Sequence, residues 1–508
     1  LAAQVARFAG GLAGAGLQRS ERVAIWLEKR VEAVVCAFGA AAAGGVFVPV
    51  NPLLKPPQVA HILGDCNVRI LVTSAERLAL LEQELAGCPD LRLVIVVPSS
   101  ASLAPLTVAG VACLDWEAAM AVGGTGMGAR AGSGKAGPHR VIDTDMVAIL
   151  YTSGSTGKPK GVVLSHRNMV AGAKSVAGYL AHRASDRILC ALPLSFDAGF
   201  SQLTTAFLAG ARATLINYLL PRDVLNAVVR ERITGLTAVP ALWIQLAQLQ
   251  WPEEVSGHLR YFANTGGHMP RATLDRLRAA LPRALPFLMY GLTESFRSTF
   301  LPPSEVDRRP DSIGRAIPNA EILVVRPDGS PCAPGEPGEL VHRGALVSLG
   351  YWNDPVKTAE RFRPAPGQPA GLTMPEIAVW SGDTVRLDDE GFIYFISRAD
   401  EMIKTSGYRV SPTEVEEIVY ATGLVGETAA LGIPHPTLGQ AIVVVATARD
   451  AAPVDIERLL AECRQRLPAF MVPSRIEPRP APLPRNPNGK IDRKRMAAEM
   501  QDLFGRAA

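Results

Sequence analysis

The sequence predicts an α/β protein with a large N-terminal domain, built from two layered α/β subdomains plus a small β-barrel, followed by a small mobile α+β C-terminal domain. Three observations lead to this prediction. Strand-like and helix-like segments alternate over about the first 300 residues, short strands separated by turns follow, and the pattern becomes mixed again near residue 400. We place the domains at residues 1–399 and 400–508, with the barrel-like part at 301–399.

The alternation begins after Arg22, with strand-like residues 23–26, 46–50 and 70–73 and helix-like residues 31–43 and 58–63. Such alternation favours a layered fold with a largely parallel sheet. The longest apolar stretch, 34–50, is rich in Ala and Gly, so it predicts a buried helix running into a strand and not a membrane span. Two later strands are expected at 91–97 and 146–151.

After residue 302 the expected strands are short and separated by Gly-containing turns, which indicates a small barrel or sandwich. They comprise residues 321–325, 335–341, 377–380, 384–387 and 392–396. Beyond residue 400 the pattern predicts a compact α+β unit. Its expected elements are helices at 412–422 and 454–467 and strands at 427–433 and 441–447.

Composition excludes several classes of protein. The chain has 508 residues, 48% apolar and 20% charged, which is enough apolar material for a folded core and too little charge for a disordered protein. Lys and Arg number 52 against 48 Asp and Glu, and this net charge of +4 argues against a dedicated nucleic-acid binder. Seven scattered cysteines predict reduced thiols and a cytoplasmic location. Because residue 1 is Leu, we expect N-terminal residues to be missing.

The strongest motif is the segment Tyr151-Thr-Ser-Gly-Ser-Thr-Gly-Lys-Pro-Lys-Gly161. Its glycines let backbone N–H groups approach an anion, its hydroxyls donate hydrogen bonds and its lysines supply charge, so it predicts a site for a phosphate chain. It differs from the Walker loop because Pro159 follows Lys158 where Ser or Thr would hold magnesium, and because it leads into a strand. A Ser/Gly-rich hairpin without a ligand is the alternative.

Three further segments contain groups that can bind a nucleotide. Tyr290-Gly-Leu-Thr-Glu-Ser295 offers an aromatic ring for a purine and a carboxylate for Mg²⁺. Ser381-Gly-Asp383 precedes Asp400-Glu-Met-Ile-Lys-Thr-Ser-Gly-Tyr-Arg-Val410. Pro484-Arg-Asn-Pro-Asn-Gly-Lys490 places a lysine on an exposed loop, where a lysine is usually only solvated.

In this order and spacing, the four segments resemble those of the adenylate-forming superfamily, which includes acyl-CoA synthetases, nonribosomal-peptide adenylation domains and luciferases. The resemblance implies that ATP is bound, with Mg²⁺ on Glu294, and that Tyr290 packs on the adenine. It assigns catalytic roles to Thr152, Glu294 and Lys490. The residues it implies for the nucleotide are Thr152, Ser153, Gly154, Ser155, Thr156, Gly157, Lys158, Gly266, Gly267, Tyr290, Gly291, Thr293, Asp383 and Arg398.

The implied reaction has two steps. A carboxylate attacks the α-phosphate of ATP and expels pyrophosphate, and the acyl-AMP then reacts with a thiol, that of coenzyme A or of a carrier-protein phosphopantetheine. The charge developing in the first step requires a cation such as Lys490. The resemblance places a hinge at Asp400, about which the C-terminal domain exchanges Lys490 for a loop with Lys404, Gly407 and Tyr408 beside the pantetheine channel.

Three residues are candidates for contact with the acid. Phe196-Asp197 is a pair found in amino-acid-activating members of the superfamily, whose carboxylate holds the α-ammonium, whereas many acyl-CoA synthetases have His in place of Phe196. The alternative is that Asp197 caps a helix predicted at 198–210. Arg297 either faces the pocket and pairs with a carboxylate or polar group, or is a solvated or structural arginine.

We therefore expect an AMP-forming carboxylate–CoA ligase that acts on a small-molecule acid, with neither a nucleic-acid partner nor a membrane span. Segments 196–211 and 290–322 are most similar to acyl-CoA ligases found beside exosortase systems. Two alternatives remain open. One is a stand-alone enzyme that loads an amino acid onto an acyl or peptidyl carrier protein, and the other is a nucleotide-binding homologue without turnover.

Overall fold

A seven-stranded sheet organises the N-terminal part of the chain in a computed structural model, which describes residues 1–54, 56–98, 110–122, 140–152, 159–369, 371–398, 403–405, 408–435, 438–449, 453–467, 469–487 and 489–505. Its strands are β1 (Arg22–Trp26), β2 (Val46–Pro49), β3 (Val68–Ser74), β4 (Leu93–Val97), β5 (Ala112–Asp115), β6 (Met146–Thr152) and β7 (Lys160–Ser165). In the order β5-β4-β3-β1-β2-β6-β7, all neighbours are parallel except the antiparallel pair β6 and β7. The predicted largely parallel sheet is confirmed.

Five helices accompany this sheet: α1 (Ala2–Gly14), α2 (Val31–Ala42), α3 (Pro56–Asp65), α4 (Ala75–Leu81) and α5 (Trp116–Val122). The predicted buried helix and strand within 34–50 are α2 and β2. Helix α2 consists mostly of Ala and Val, and these small side chains let it pack closely on α1 and the sheet. At Gly39 a Cβ would come within 2.7 Å of the Phe8 ring, so glycine permits the contact between the two helices.

The second sheet begins with parallel strands: β8 (Arg187–Cys190), β9 (Arg212–Leu215), β10 (Gly235–Ala238), β11 (Tyr261–Asn264) and β12 (Leu285–Tyr290). The helices of this region are α6 (His166–Tyr179), α7 (Asp197–Leu208), α8 (Pro221–Arg230), α9 (Pro240–Leu246) and α10 (Arg271–Ala280). Because the carboxyl ends of parallel strands meet at one edge of a sheet, the segments that follow β10, β11 and β12 lie together there.

An antiparallel extension continues the second sheet beyond β12. It comprises β13 (Thr299–Leu301), β14 (Ser312–Ala316), β15 (Ala320–Val325), β16 (Gly338–Gly344), β17 (Phe362–Pro364), β18 (Ile377–Leu387) and β19 (Ile393–Arg398), with helix α11 (Pro355–Arg361). The path runs β12-β13-β14-β19-β18-β16-β15, with β17 beside β18. The barrel-like part expected at 301–399 is therefore continuous with the second α/β sheet.

One strand replaces the two predicted at 377–380 and 384–387, so that prediction was wrong. In the pairing with β16, Trp380 lies opposite Val341 and Thr384 opposite Glu339, so β18 has extra residues between the two pairs. This irregularity includes Gly382, whose φ of +68° is costly for any other residue. The sequence Ser381-Gly382 is therefore a bulge within β18 and not a turn between strands.

A third sheet of five strands lies in the C-terminal part. Its strands are β20 (Ile403–Thr405), β21 (Tyr408–Val410), β22 (Val425–His435), β23 (Gly439–Ala448) and β24 (Arg475–Arg479), in the order β21-β20-β23-β22 with β24 parallel to β23. The helices here are α12 (Pro412–Ala421), α13 (Ile456–Arg466) and α14 (Arg493–Glu499). The core of this part, which includes Val415, Val444 and Leu459, confirms the predicted α+β character.

Several contacts join the C-terminal part to the larger one, and one of them is a hydrogen bond from Ser411 Oγ to the Ile396 carbonyl at 2.5 Å. His268, which precedes α10, forms an ion pair with Glu417 of α12. Asn51, which follows β2, donates from Nδ2 to the carbonyl of Pro487 at 2.9 Å. Because β2 and its parallel neighbour β6 end at the same edge of the first sheet, the loop that carries Lys490 contacts that edge close to where the 151–161 segment begins.

The described residues contain neither a disulfide bond nor a helix that could span a membrane. All seven cysteines are free thiols, as predicted. Across the described ranges, no helix combines the length and the apolar character needed to cross a bilayer.

Candidate active site

The strands β6 and β7 frame the predicted phosphate segment as an antiparallel hairpin. Thr152 pairs with Lys160 and Tyr151 with Gly161, which confirms that the segment runs from strand to strand. The Tyr151 hydroxyl donates to Asp65 of α3 at 2.5 Å, so the first strand of the hairpin is anchored to a helix on the same sheet. The predicted phosphate residues at 153–158 lie outside the described ranges.

The turn between β12 and β13 holds the Tyr290–Ser295 motif. The two strands pair antiparallel, with Tyr290 opposite Thr299, and the Ser298 N–H donates to the Tyr290 carbonyl at 3.1 Å. A single short helical turn, Thr293–Ser295, presents Thr293 and Glu294 as half-buried side chains. We call residues 290–299 the β12–β13 turn.

Two unusual backbone positions fix the shape of the β12–β13 turn. Phe296 has a φ of +58°, which is strained for an aromatic residue, and its fully buried ring packs against α6 at Gly172. A Cβ at Gly172 would lie 2.4 Å from the Phe296 ring. At Gly291 a Cβ would lie 3.0 Å from the Cα of Arg297, so glycine allows the two ends of the turn to approach each other.

The first functional contact of this turn joins Tyr290 and Asp383. The Tyr290 hydroxyl donates to the Asp383 carboxylate, which is 1% exposed, and Tyr290 is half-buried with its ring 6.2 Å from that of Phe395. The Asp383 N–H donates to Ser381 Oγ at 3.0 Å, which secures the β18 bulge. The structure therefore brings together two residues that are 93 positions apart and were both predicted for the nucleotide.

The second contact joins Glu294 to Tyr351, a residue that sequence reasoning missed. The Tyr351 hydroxyl donates to Glu294 Oε1, and the Lys160 ammonium lies 4.5 Å from the centre of the Tyr351 ring. Burial lowers the pKa of Lys160, and the charge of Glu294 opposes that effect. Burial raises the pKa of Tyr351, and the carboxylate beside it acts in the same direction, so Tyr351 stays a hydrogen-bond donor.

Residues 348–353 connect Glu294 to the phosphate hairpin. The Ser348 N–H donates to the Glu294 carbonyl at 2.9 Å. The same segment then runs beside β7, with Leu349 N–H donating to Val163 at 2.8 Å and Trp352 N–H donating to Gly161 at 2.7 Å. The sequence signal for this segment was Gly350 followed by the aromatic pair Tyr351 and Trp352. Gly350 has a φ of +111°.

Gly266 and Gly267 follow β11, the parallel neighbour of β12, and so lie at the same edge of the sheet as Tyr290. Gly266 has a φ of +77°. Asn264 holds this corner by donating from Nδ2 to the Gly267 carbonyl at 2.8 Å. Its Oδ1 atom is buried and has no hydrogen-bond partner in the described part of the chain, so it offers an acceptor to a ligand.

The third contact of the β12–β13 turn joins Arg297 to Asp197. Helix α7 begins at Asp197 with Phe196 in the N-cap position, so the proposal that Asp197 caps this helix was wrong. Its carboxylate instead accepts from Arg297 Nη1 at 3.0 Å. Arg297 is 3% exposed, which excludes the solvated interpretation. Asp197 pairs with Arg297 and does not cap the helix, because the first residue of α7 lies beside the β12–β13 turn.

A small cavity of about 10 Å³ lies beneath α7, between α6, α7 and the second sheet. Its lining combines apolar side chains with polar ones, which are His182, Ser201, Gln202, Thr205, Thr237, Tyr261 and Arg297. Arg297 and Ala198, which follows Asp197, both line this cavity.

The predicted residues of the C-terminal part are only partly described. Arg398 pairs with Asp383 in the β18–β19 ladder, and Lys404 and Tyr408 lie on the adjacent strands β20 and β21, but the side chains of these three residues lie outside the described part. The hinge residue Asp400 and Gly407 also lie outside it. Lys490 is exposed, on a turn in which its N–H donates to Asn486 Oδ1 at 3.1 Å.

The donor set fits a nucleotide chemically. An aromatic ring beside a buried carboxylate suits a nucleoside. A lysine and a Gly/Ser/Thr hairpin suit its phosphates, and the half-buried carboxylate beside them suits a cation bound to those phosphates. No three His, Cys, Asp or Glu side chains of the described residues come together as metal ligands.

Comparison with known proteins agrees with this chemistry. The family described as AMP-binding enzyme matches residues 1–352, and the AMP-binding enzyme C-terminal domain matches residues 414–490. A feruloyl-CoA synthase of Amycolatopsis is 29% identical over 99% of this chain and 93% of its own. An L-proline–[L-prolyl-carrier protein] ligase of Pseudomonas fluorescens is 29% identical over 98% and 93%. ATP-bound MatB of Rhodopseudomonas palustris is similar in structure, with a TM-score of 0.83 and 25% identity over 99% and 93%.

Proposed function

The chain belongs to the family of AMP-binding enzymes, and on that basis we propose that it is an AMP-forming acid–thiol ligase that converts a carboxylic acid to its acyl-CoA. ATP activates the acid as an acyl-adenylate with release of pyrophosphate. The acyl group then passes to the thiol of coenzyme A, with AMP as the leaving group.

The observation that carries the assignment to particular residues is the β12–β13 turn. Within ten positions, this turn sends one side chain to Asp383, one to Tyr351 beside the phosphate hairpin, and one to Asp197 at the start of α7. We assign these three destinations to a nucleoside, its phosphates and the acid. A rigid turn that reaches all three sites can align the α-phosphate with the attacking carboxylate.

The nucleotide roles follow from this arrangement. The Tyr290 ring would lie on the adenine beside Gly266, and Asp383 would accept from the ribose hydroxyls, with Arg398 nearby in the same ladder. Residues 152–158 would close over the phosphates, and Thr293 would contact the α-phosphate. Glu294 would hold Mg²⁺, which usually takes one or two carboxylates and completes its shell with phosphate oxygens and water, and which neutralises phosphate charge when bound.

In the first half-reaction an oxygen of the acid forms a bond to the α-phosphorus as the bond to pyrophosphate breaks. Negative charge increases on the transferring phosphoryl group, and a fixed cation stabilises it. Lys490 would supply that cation, since its loop contacts Asn51 at the edge of the sheet where the phosphate hairpin begins. Lys160 lies beside Glu294 within that hairpin and adds positive charge.

In the second half-reaction the thiol attacks the acyl carbon and AMP leaves with both bonding electrons. Lys490 and an incoming thiol need the same side of the acyl-adenylate, so the C-terminal domain has to move between steps. A rotation about Asp400 would withdraw Lys490 and bring the segment with Lys404, Gly407 and Tyr408 to the site. Such a rotation would break the contacts His268–Glu417 and Asn51–Pro487.

Loading of a carrier protein is the second candidate, and the similarity to a prolyl-carrier protein ligase favours it. The chemistry of the first step would be the same, and the acceptor would be a phosphopantetheine thiol. A single assay can decide whether the acyl group passes to coenzyme A or to a carrier protein.

The test is a screen for acid-dependent pyrophosphate release by the full chain with ATP and Mg²⁺, run with and without coenzyme A. The proposal requires at least one acid that releases pyrophosphate and whose acyl-CoA is found by mass spectrometry. Acyl-AMP that coenzyme A never discharges would favour the carrier protein. A broad panel of plain and amino acids without any release would instead indicate a nucleotide-binding homologue without turnover.

A further inference from the structure

The ion pair between Arg297 and Asp197 is unusually well enclosed. Arg297 is 3% exposed, and its Nη1 donates to Asp197 Oδ2 at 3.0 Å and to the Phe296 carbonyl at 3.2 Å. About 15% of the Asp197 side chain is exposed. A guanidinium buried this deeply requires a counter-charge, so removal of either partner leaves an uncompensated charge in the interior.

The backbone around each partner limits how far the pair can open. The left-handed Phe296 precedes Arg297, and the Arg297 N–H donates to the Ser295 carbonyl at 2.6 Å, which turns this arginine inward. On the other side, the first turn of α7 rests on Pro193, because a Cβ at Gly199 would come within 1.8 Å of the Pro193 carbonyl oxygen. Asp197 and Arg297 are therefore held in place by separate elements.

Arg297 also gives the adjacent cavity its charge. The other polar groups of the lining are hydroxyls, the neutral Gln202 amide, and His182, whose pKa burial lowers, so this imidazole is uncharged at neutral pH. Arg297 Nε is buried without a hydrogen-bond partner in the described part of the chain. A cavity of about 10 Å³ admits roughly one water-sized group, such as a carbonyl or hydroxyl oxygen.

We propose that Arg297 is a specificity-determining residue, and that its ion pair with Asp197 makes the pocket accept acids with an oxygen acceptor on the acyl chain and reject acids with an ammonium group. An ammonium would have to share the Asp197 carboxylate, whose charge Arg297 already compensates. A cation placed there would also lie beside the guanidinium, and like charges repel. An oxygen acceptor instead satisfies Arg297 Nε. This inference rests on the proposed acid activation.

The test uses matched acids in branched and aryl series, each as the plain acid, its 2-oxo derivative and its 2-amino derivative. Pyrophosphate release gives kcat/KM for each acid with the wild type, Arg297→Met and Arg297→Lys. The wild type should activate the 2-oxo acid best, at least about tenfold better than the 2-amino acid, the range expected of a hydrogen bond to a charged group, with the plain acid between them. Arg297→Met should raise the relative rate of the 2-amino acid at least about tenfold, and Arg297→Lys should keep the discrimination.

Two controls separate specificity from folding. Arg309→Met removes another buried arginine, 6% exposed and paired with Glu305 and Asp388, so it should lower stability without changing the ratio between acids. The double variant Asp197→Asn/Arg297→Met removes both charges, so it tests the pair if Arg297→Met alone does not fold. It should relieve part of the rejection of the 2-amino acid, because the repelling guanidinium is gone although no carboxylate remains to hold the ammonium.

Three results would overturn the inference. They are a wild-type preference for 2-amino acids, an unchanged ratio in Arg297→Met, and an unchanged ratio in the double variant. Failure of every acid to release pyrophosphate would instead refute the proposed function. In that case the thermal shifts that the same acids cause in the presence of ATP decide the inference, since equal shifts from 2-oxo and 2-amino acids would contradict it.

Discussion

Replacing Tyr351 by Phe removes the hydroxyl that donates to Glu294 and leaves the aromatic ring in place. The ring packs edge-on against Phe362 at 5.6 Å and lies beneath the Lys160 ammonium, and both contacts remain possible for phenylalanine. The substitution therefore tests whether this one hydrogen bond positions Glu294 for its proposed role with Mg²⁺ and the phosphates.

The expected magnitude follows from the charge of the acceptor. A hydrogen bond to a charged group contributes about 1.5–3 kcal/mol, which corresponds to about 10- to 100-fold in rate if all of it serves the transition state. We expect kcat/KM for ATP to fall within that range and the Mg²⁺ concentration for half-maximal rate to rise. The KM for the acid should change little, because the acid lies at the other end of the β12–β13 turn.

Pyrophosphate release measured against ATP, Mg²⁺ and acid in turn gives these constants. Tyr394→Phe is the matched control, because the Tyr394 hydroxyl also donates to a carboxylate, that of Asp388 at 3.1 Å, outside the site. Both variants should lose about 1–2 kcal/mol of unfolding free energy, but only Tyr351→Phe should lose activity toward ATP. Equal ATP kinetics for the two variants would refute the positioning role of Tyr351.

Three other experiments test further parts of the structure. Tyr290→Phe leaves Asp383 without its hydroxyl donor, so the KM for ATP should rise about tenfold with the acid KM unchanged; an unchanged ATP KM would contradict the nucleoside role. Gly199→Ala should destabilise the chain and raise the acid KM, because its Cβ would meet the Pro193 carbonyl, whereas Gly178→Ala in α6, with nothing within 4 Å, should be neutral or stabilising by up to about 1 kcal/mol. Burial acts to lower the pKa of His268, but Glu417, with Asp311 and Glu416, outweighs it and raises this pKa. The His268–Glu417 coupling, measured by a double-mutant cycle with Gln variants, should therefore be present at pH 6 and disappear as the pH rises through the raised pKa; coupling that grows with pH would contradict this sign.

Sequence patterns predicted the elements that depend on local alternation. The helix and strand within 34–50 and the strands on either side of 151–161 were predictable because short runs of apolar residues mark them locally. The bulge at Gly382 was not, because a Ser-Gly pair inside a strand looks the same in sequence as a turn between two strands.

The candidate site was predictable in its members but not in its pairings. Tyr290, Asp383 and Glu294 stand out because of their motifs, yet their partners lie 57 to 93 positions away and are chosen by the packing of sheets. The pair Asp197–Arg297 spans 100 positions, and it changes the interpretation of Asp197 from a free carboxylate to an engaged one. Tyr351 was missed because nothing near it in the sequence indicates that its hydroxyl reaches Glu294.

The most direct test of the two-step reaction is the behaviour of Lys490→Ala in the two half-reactions measured separately. We predict that acid-dependent pyrophosphate release falls by at least about 100-fold, while thioester formation from supplied acyl-AMP and coenzyme A stays within about threefold of the wild type, because Lys490 is withdrawn in that step. Lys494→Ala, an exposed lysine of the neighbouring helix α14, should leave both half-reactions unchanged. Equal loss of both half-reactions in Lys490→Ala, or an unimpaired first step, would contradict this account.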